Sequence, residues 1–122
     1  MTTLLVCIAG GVGAALRFIL DGMMRDRLSS TYPVATMVIN LTGSLLLGLL
    51  TGMTAVQLLP DEWQLVAGTG LLGGYTTFST ASFETVRLIE DRRYAAALLN
   101  GLGMLIGSTV AAALGLIVGL NI

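Results

Sequence analysis

Histidine and lysine are absent from this sequence of 122 residues, and cysteine occurs once, as Cys7. The chain therefore cannot assemble a histidine-based triad, a lysine Schiff base, a zinc cluster or an intrachain disulfide, and no enzyme is expected. Charge is scarce as well, at 11% of residues, and the net charge of -1 leaves no basic face for nucleic acid. A positive stretch at the N-terminus is also missing. Arg17 stands where a leader would have small residues before its cleavage point, so the first twenty residues read as a retained span.

What fills the sequence is apolar: 55% of residues are hydrophobic and the mean hydropathy is +0.89. The charges fall in islands, with Arg17 alone, then Asp21 to Arg27, then Asp61 and Glu62, then Glu84 to Arg93. A helix crossing a bilayer needs about 20 mainly apolar residues, so four crossings use roughly 80 and leave short loops. The prediction is one all-α membrane domain over 1–122, with spans at about 3–20, 34–56, 63–86 and 95–120. Arg17 sits in the last turn of the first span, where it can snorkel. A polar loop is expected over 21–32, Pro33 suits the opening turn of span two, and Trp63 is an interfacial anchor type.

Span three departs from continuous helix on composition. Residues 68–80 carry four glycines and then four hydroxyl side chains, poor helix formers, and irregular backbone at membrane depth survives only inside protein or beside a wet cavity. Gly68-x-Gly70-x-x-Gly73 also matches a dinucleotide fingerprint, but that motif requires a preceding strand, and here it lies inside an apolar span. Other glycines fall as Gly48-x-x-x-Gly52, Gly103-x-x-x-Gly107 and Gly115-x-x-x-Gly119, a spacing that lets helix backbones approach closely. Four short helices make a small bundle, so oligomerisation is expected.

Polar side chains at membrane depth mark candidate function. Thr36, Asn40, Ser44 and Thr51 form one stripe on span two. Asn40 must be paired or solvated there, either by an interhelical hydrogen bond or in a pore lining. Span three adds Thr76, Thr77, Phe78, Ser79, Thr80, Ser82 and Phe83. Hydroxyl donors, free amides at a broken helix and the positive edges of rings suit a small anion. Glu84 is the nearest acid, and it stands three residues from Arg87.

Three stretches together resemble the CrcB/Fluc family of fluoride channels: Gly10-Gly-Val-Gly-Ala-Ala-Leu-Arg17-Phe, Val38-Ile-Asn40-Leu-Thr-Gly43 and Gly73-Gly-Tyr-Thr-Thr-Phe78-Ser-Thr80. The resemblance implies passive export of fluoride from the cytoplasm through an antiparallel dimer whose third helix is broken at mid-membrane. It makes Asn40 a pore-lining donor and Phe78 a ring whose edge faces fluoride. Ser79 and Thr80 would join a hydroxyl track leading toward Glu84, and Arg17 would make an electropositive vestibule. The backbone carbonyls of Gly73 and Thr76 would hold a structural sodium ion that is not transported. One position departs from the family pattern: Ala81 stands where a second phenylalanine is usual. Phe83, about 200° further around a helix from Ala81, cannot replace it.

Two other classes compete. A small multidrug-resistance exporter also has four spans, but its proton coupling needs a carboxylate that span one lacks. A non-transporting assembly subunit would explain the glycines but not the polar constellation. Arginine placement predicts orientation. All six arginines fall on the side of the 21–32 and 87–94 loops or at adjoining helix ends, which puts both termini outside a plasma membrane. A chain inserting both ways should lack that bias. The reading therefore leans toward a dimer with an oppositely oriented paralogue over a dimer with itself.

Overall fold

A computed structural model describes residues 1–28 and 32–122, and among these every regular element is helical. Helix α1 spans Thr2–Arg27 and α2 spans Val34–Ala55. Helix α3 covers 61–75, mostly as the wider π-helical turns of Gln64–Leu72, and α4 covers Ser79–Glu90. Helix α5 runs over Tyr94–Asn121, with a π-helical stretch at Leu99–Gly103. Three of them, α1, α2 and α5, are long and apolar enough to cross a membrane.

The expected polar loop at 21–32 needs correction, because α1 continues to Arg27; residues 29–31 lie outside the described part. Hydropathy marks where a helix leaves an apolar medium, not where its hydrogen bonding stops. Asp21 and Arg25, four residues apart, are bonded at 2.9 Å and support the extra turns. Helix α2 closes where Gln57 takes φ 58° and α4 where Arg92 takes φ 58°. In each case the next amide reaches back, Leu58 to the Met53 carbonyl and Arg93 to the Leu88 carbonyl. These are Schellman-type ends built without glycine.

Packing pairs α1 with α3 and α2 with α5. A Cβ on Gly13 would strike the Leu71 carbonyl, one on Gly74 the Gly10 carbonyl, and one on Gly70 the Val6 carbonyl at 2.8 Å. Residue numbers rise together along the two helices, so α1 and α3 run parallel. In the other pair Gly48 lies on the Ala112 carbonyl, Gly115 on Leu45 and Gly119 on Leu49, again in parallel. Two of the three expected glycine repeats thus interlock with each other. The third does not: Gly103 meets Leu99 of its own helix and Gly107 the Leu41 side chain. Helix α1 buries Gly13 while its large apolar side chains stay exposed, the surface of a helix facing lipid or another protein.

The glycine-rich stretch itself remains helical through Tyr75. Helical geometry lapses at 76–78, where Thr76 has ψ 161°, and resumes at Ser79. A tight seam on α1 explains why: Gly70 and Gly74 are tolerated because their missing Cβ atoms admit the neighbouring backbone.

Candidate functional site

The interruption at 76–78 leaves backbone groups unpaired within the helix, and α2 supplies their partner. Asn40, buried on α2, donates from Nδ2 to the Thr77 carbonyl at 2.8 Å and accepts at Oδ1 from the Thr77 amide at 2.9 Å. Its amide thus takes the place of a neighbouring peptide group. The second Nδ2 hydrogen is directed at the Met104 thioether, 3.1 Å away. Sulfur is a weak acceptor, which makes this the donor most readily given to another ligand. Asn40 thus makes the interhelical hydrogen bond, and it also lines a cavity.

Thr77 ties the start of α4. Its Oγ1 accepts from the Thr80 amide at 3.2 Å, donates to Thr80 Oγ1 at 3.1 Å and lies 3.4 Å from Ser79 Oγ. A hydroxyl accepting from an amide three residues on is the helix-capping arrangement.

The cavity, about 570 Å³, lies between α2, the α3–α4 junction and the first half of α5. Asn40, Ser44, Thr77, Phe78, Ser82 and Asn100 are among its walls, and no charged group lines it among the described residues. Phe78 is 86% exposed at its rim, and Ala81 opens onto it. A ring at position 81 would stand in that space. Phe83 is placed elsewhere, beside Arg87, Glu90 and Asp91. Ser79 and Thr80 belong to the hydroxyl cluster around Thr77, while Ser82 and Thr85 carry the hydroxyls of α4 that line the cavity.

Asn100 escaped the sequence reading. It is fully buried, donates to Thr85 Oγ1 at 2.8 Å, and leaves Oδ1 without a hydrogen-bond partner among the described residues. An amide inside a long uncharged apolar run was its available signal, by the same argument that marked Asn40. Asn100 falls in the π-helical turn of α5, a distortion common near functional sites.

The remaining candidates flank this core. Arg17 reaches from α1 to the Gly74 carbonyl at 3.2 Å, placing a positive charge at the C-terminal end of α3. Glu84 bonds Arg25 of α1 and Thr36 of α2, each at 2.8 Å, rather than Arg87. Spacing along one helix suggested the nearer arginine, whereas packing brings the distant one. The carbonyls of Gly73 and Thr76 lose their usual partners, because the amides four residues on are engaged elsewhere: Thr77 N with Asn40 and Thr80 N with Thr77 Oγ1. Neutral carbonyl oxygens left in this way fit a hard cation such as sodium.

The family described as CrcB-like protein, Camphor Resistance (CrcB), matches residues 4–116. Fluoride-specific ion channel FluC 1 of Leifsonia xyli subsp. xyli is 51% identical over 119 residues, covering 98% of this chain and 87% of that protein. Fluoride-specific ion channel FluC 2 of Cutibacterium acnes is 46% identical over 120 residues and 98% of each chain. The FluC 2 channel of Mycobacterium tuberculosis is 44% identical over 110 residues, covering 90% and 84%.

Proposed function

This chain belongs to the CrcB family, and we propose on that premise that it is a fluoride-specific ion channel of the cell membrane. It is not an enzyme. The observation that carries the reading is an uncharged, largely apolar cavity at the 76–78 interruption that has amide and hydroxyl groups among its walls. Fluoride is small and holds water tightly, so only closely spaced donors can replace its hydration shell. Asn40, the Ser82 hydroxyl and the edge of Phe78 would do so, with Ser79, Thr80 and Glu84 beyond them; the Thr85 hydroxyl is already given to the Ala81 carbonyl at 2.8 Å. Arg17 attracts the anion toward the path. Flow is passive, from cytoplasm to outside, and lowers the fluoride the cell accumulates.

The run 61–90 is the third of four spans, broken at membrane depth. The Arg25 to Glu84 bond sets the last turn of α1 against the middle of α4; this end carries the arginines and, on the positive-inside rule, would face the cytoplasm. Both termini then lie outside. The chain works in an antiparallel dimer. Its arginine bias and Ala81 favour an oppositely inserted paralogue as partner, with an identical copy the alternative. The Gly73 and Thr76 carbonyls would hold a structural sodium ion, which supplies fixed positive charge where the two subunits meet.

Fluoride efflux from liposomes containing the purified chain, alone and with a paralogous partner, tests the function. Fluoride should leave down its gradient while chloride stays. Absence of fluoride release in both preparations, or release that needs a proton gradient, contradicts a channel.

A further inference from the structure

At the arginine-rich end, α1 and α4 are joined by ions. Arg25 Nη2 donates to Glu84 Oε1 at 2.8 Å, and Thr36 Oγ1 donates to the same oxygen at 2.8 Å. Arg25 Nε bonds both carboxylate oxygens of Asp21, at 3.0 and 2.9 Å. The Glu84 side chain is 12% exposed, and its Oε2 is buried without a hydrogen-bond partner among the described residues. Surface ion pairs contribute little, but this carboxylate is largely withdrawn from water, so loss of its counter-charge leaves an uncompensated charge.

Thr36 precedes Asn40 by one turn on the same face of α2. Glu84 therefore stands one turn along the polar line that starts at the cavity. An anion passing this way meets a carboxylate, and repulsion between two like charges at contact range is large enough to stop it unless a cation intervenes. Around Glu84, α1 brings Asp21 and Arg25 and α4 carries Arg87; Arg25 and Thr36 donate to the carboxylate.

We propose that Arg25 is a positioning residue for fluoride passage: its guanidinium holds and cancels the Glu84 carboxylate at the inner end of the path, while Asp21 keeps Arg25 in that pose. This role rests on the fluoride-channel reading and adds to it a residue on α1 that lines no part of the cavity.

Fluoride efflux from proteoliposomes of the wild type, Arg25→Gln, Arg25→Lys, Glu84→Gln and the Arg25→Gln/Glu84→Gln double variant tests it. Arg25→Gln should slow efflux about 10-fold or more, and Arg25→Lys should retain most of it. In the Glu84→Gln background Arg25→Gln should cause no further loss. If Arg25→Gln alone does not fold, the double variant should recover both folding, read as a single size-exclusion peak, and efflux equal to that of Glu84→Gln. Undiminished efflux from Arg25→Gln, or the same proportional loss in both backgrounds, overturns the role. A wild type that carries no fluoride overturns the channel reading and this role together, whereas a conducting wild type indifferent to Arg25 overturns the role alone.

Discussion

Helices α2 and α5 run side by side, yet they meet in two different ways along their length. Toward their C-terminal ends glycine faces backbone: Gly48 lies on Ala112, Gly115 on Leu45 and Gly119 on Leu49, with no room for a methyl group. Toward their N-terminal ends side chains intervene, and Asn40, Ser44, Asn100 and Met104 surround a cavity of about 570 Å³. Lipid offers helices little hydrophobic reason to associate, so close backbone contact holds such a pair. A firm seam at one end lets the same two helices leave room at the other, where buried polar groups face one another. The seam holds the pair at one set of turns and, on the proposed function, the ion passes at another.

The largest effect should come from filling the seam. Gly115→Leu drives a side chain into the Leu45 carbonyl, where overpacking costs about 1–3 kcal/mol or more. The protein should lose its single size-exclusion peak in detergent. A stable, monodisperse Gly115→Leu variant would break the assignment of stability to this end.

Next, Asn40→Asp should leave assembly intact and cut fluoride efflux on the order of 100-fold, the scale set by about 2.5–3.5 kcal/mol for a carboxylate at membrane depth. It also removes the donor to the Thr77 carbonyl, so a modest fall in thermal stability should accompany it. Wild-type efflux from this variant would confine Asn40 to packing.

Phe78→Ile keeps an apolar side chain at the cavity rim and removes the ring edge. Aromatic geometry contributes about 0.5–1.5 kcal/mol, so efflux should fall up to about 10-fold with no change in size-exclusion behaviour. Unchanged efflux would take Phe78 off the path.

The smallest effect sharpens the contrast. A methyl group on Gly11 would meet nothing within 4 Å, unlike one on Gly13 two residues on. Gly11→Ala should shift stability by no more than about 0.5 kcal/mol, whereas Gly13→Ala should destabilise the α1 and α3 pair measurably in the same thermal melt.

Much of this was legible in the sequence, for physical reasons that also mark where reading stops. Pro33 and the Pro60-Asp61-Glu62 group bracket α2 because proline and charge both end an apolar helix, and the helix occupies Val34–Ala55. The same logic misplaced the end of α1, since charged residues four apart can extend a helix beyond the apolar stretch. The stripe from Thr36 to Thr51 was legible from periodicity alone, and each member of it meets α3, α4 or the cavity. Gly70 and Gly74, matched in part to a nucleotide motif, are instead the seam with α1, visible only once a partner helix is known. The pairing of Glu84 with Arg25, 59 positions apart, has no signature in local spacing at all.

On the proposed function, the ion passes through the cavity end of α2 and α5. Ser108 of α5 lines that cavity, and Ser108→Cys in a Cys7→Ser background puts a single thiol there. Fluoride efflux measured while a bulky water-soluble thiol reagent reacts with that introduced thiol, with Glu62→Cys, at an exposed polar position, in the same background as control, is the direct test. Efflux should stop in step with modification at position 108 and continue after modification at position 62. Full modification at 108 with undiminished fluoride efflux would contradict the account.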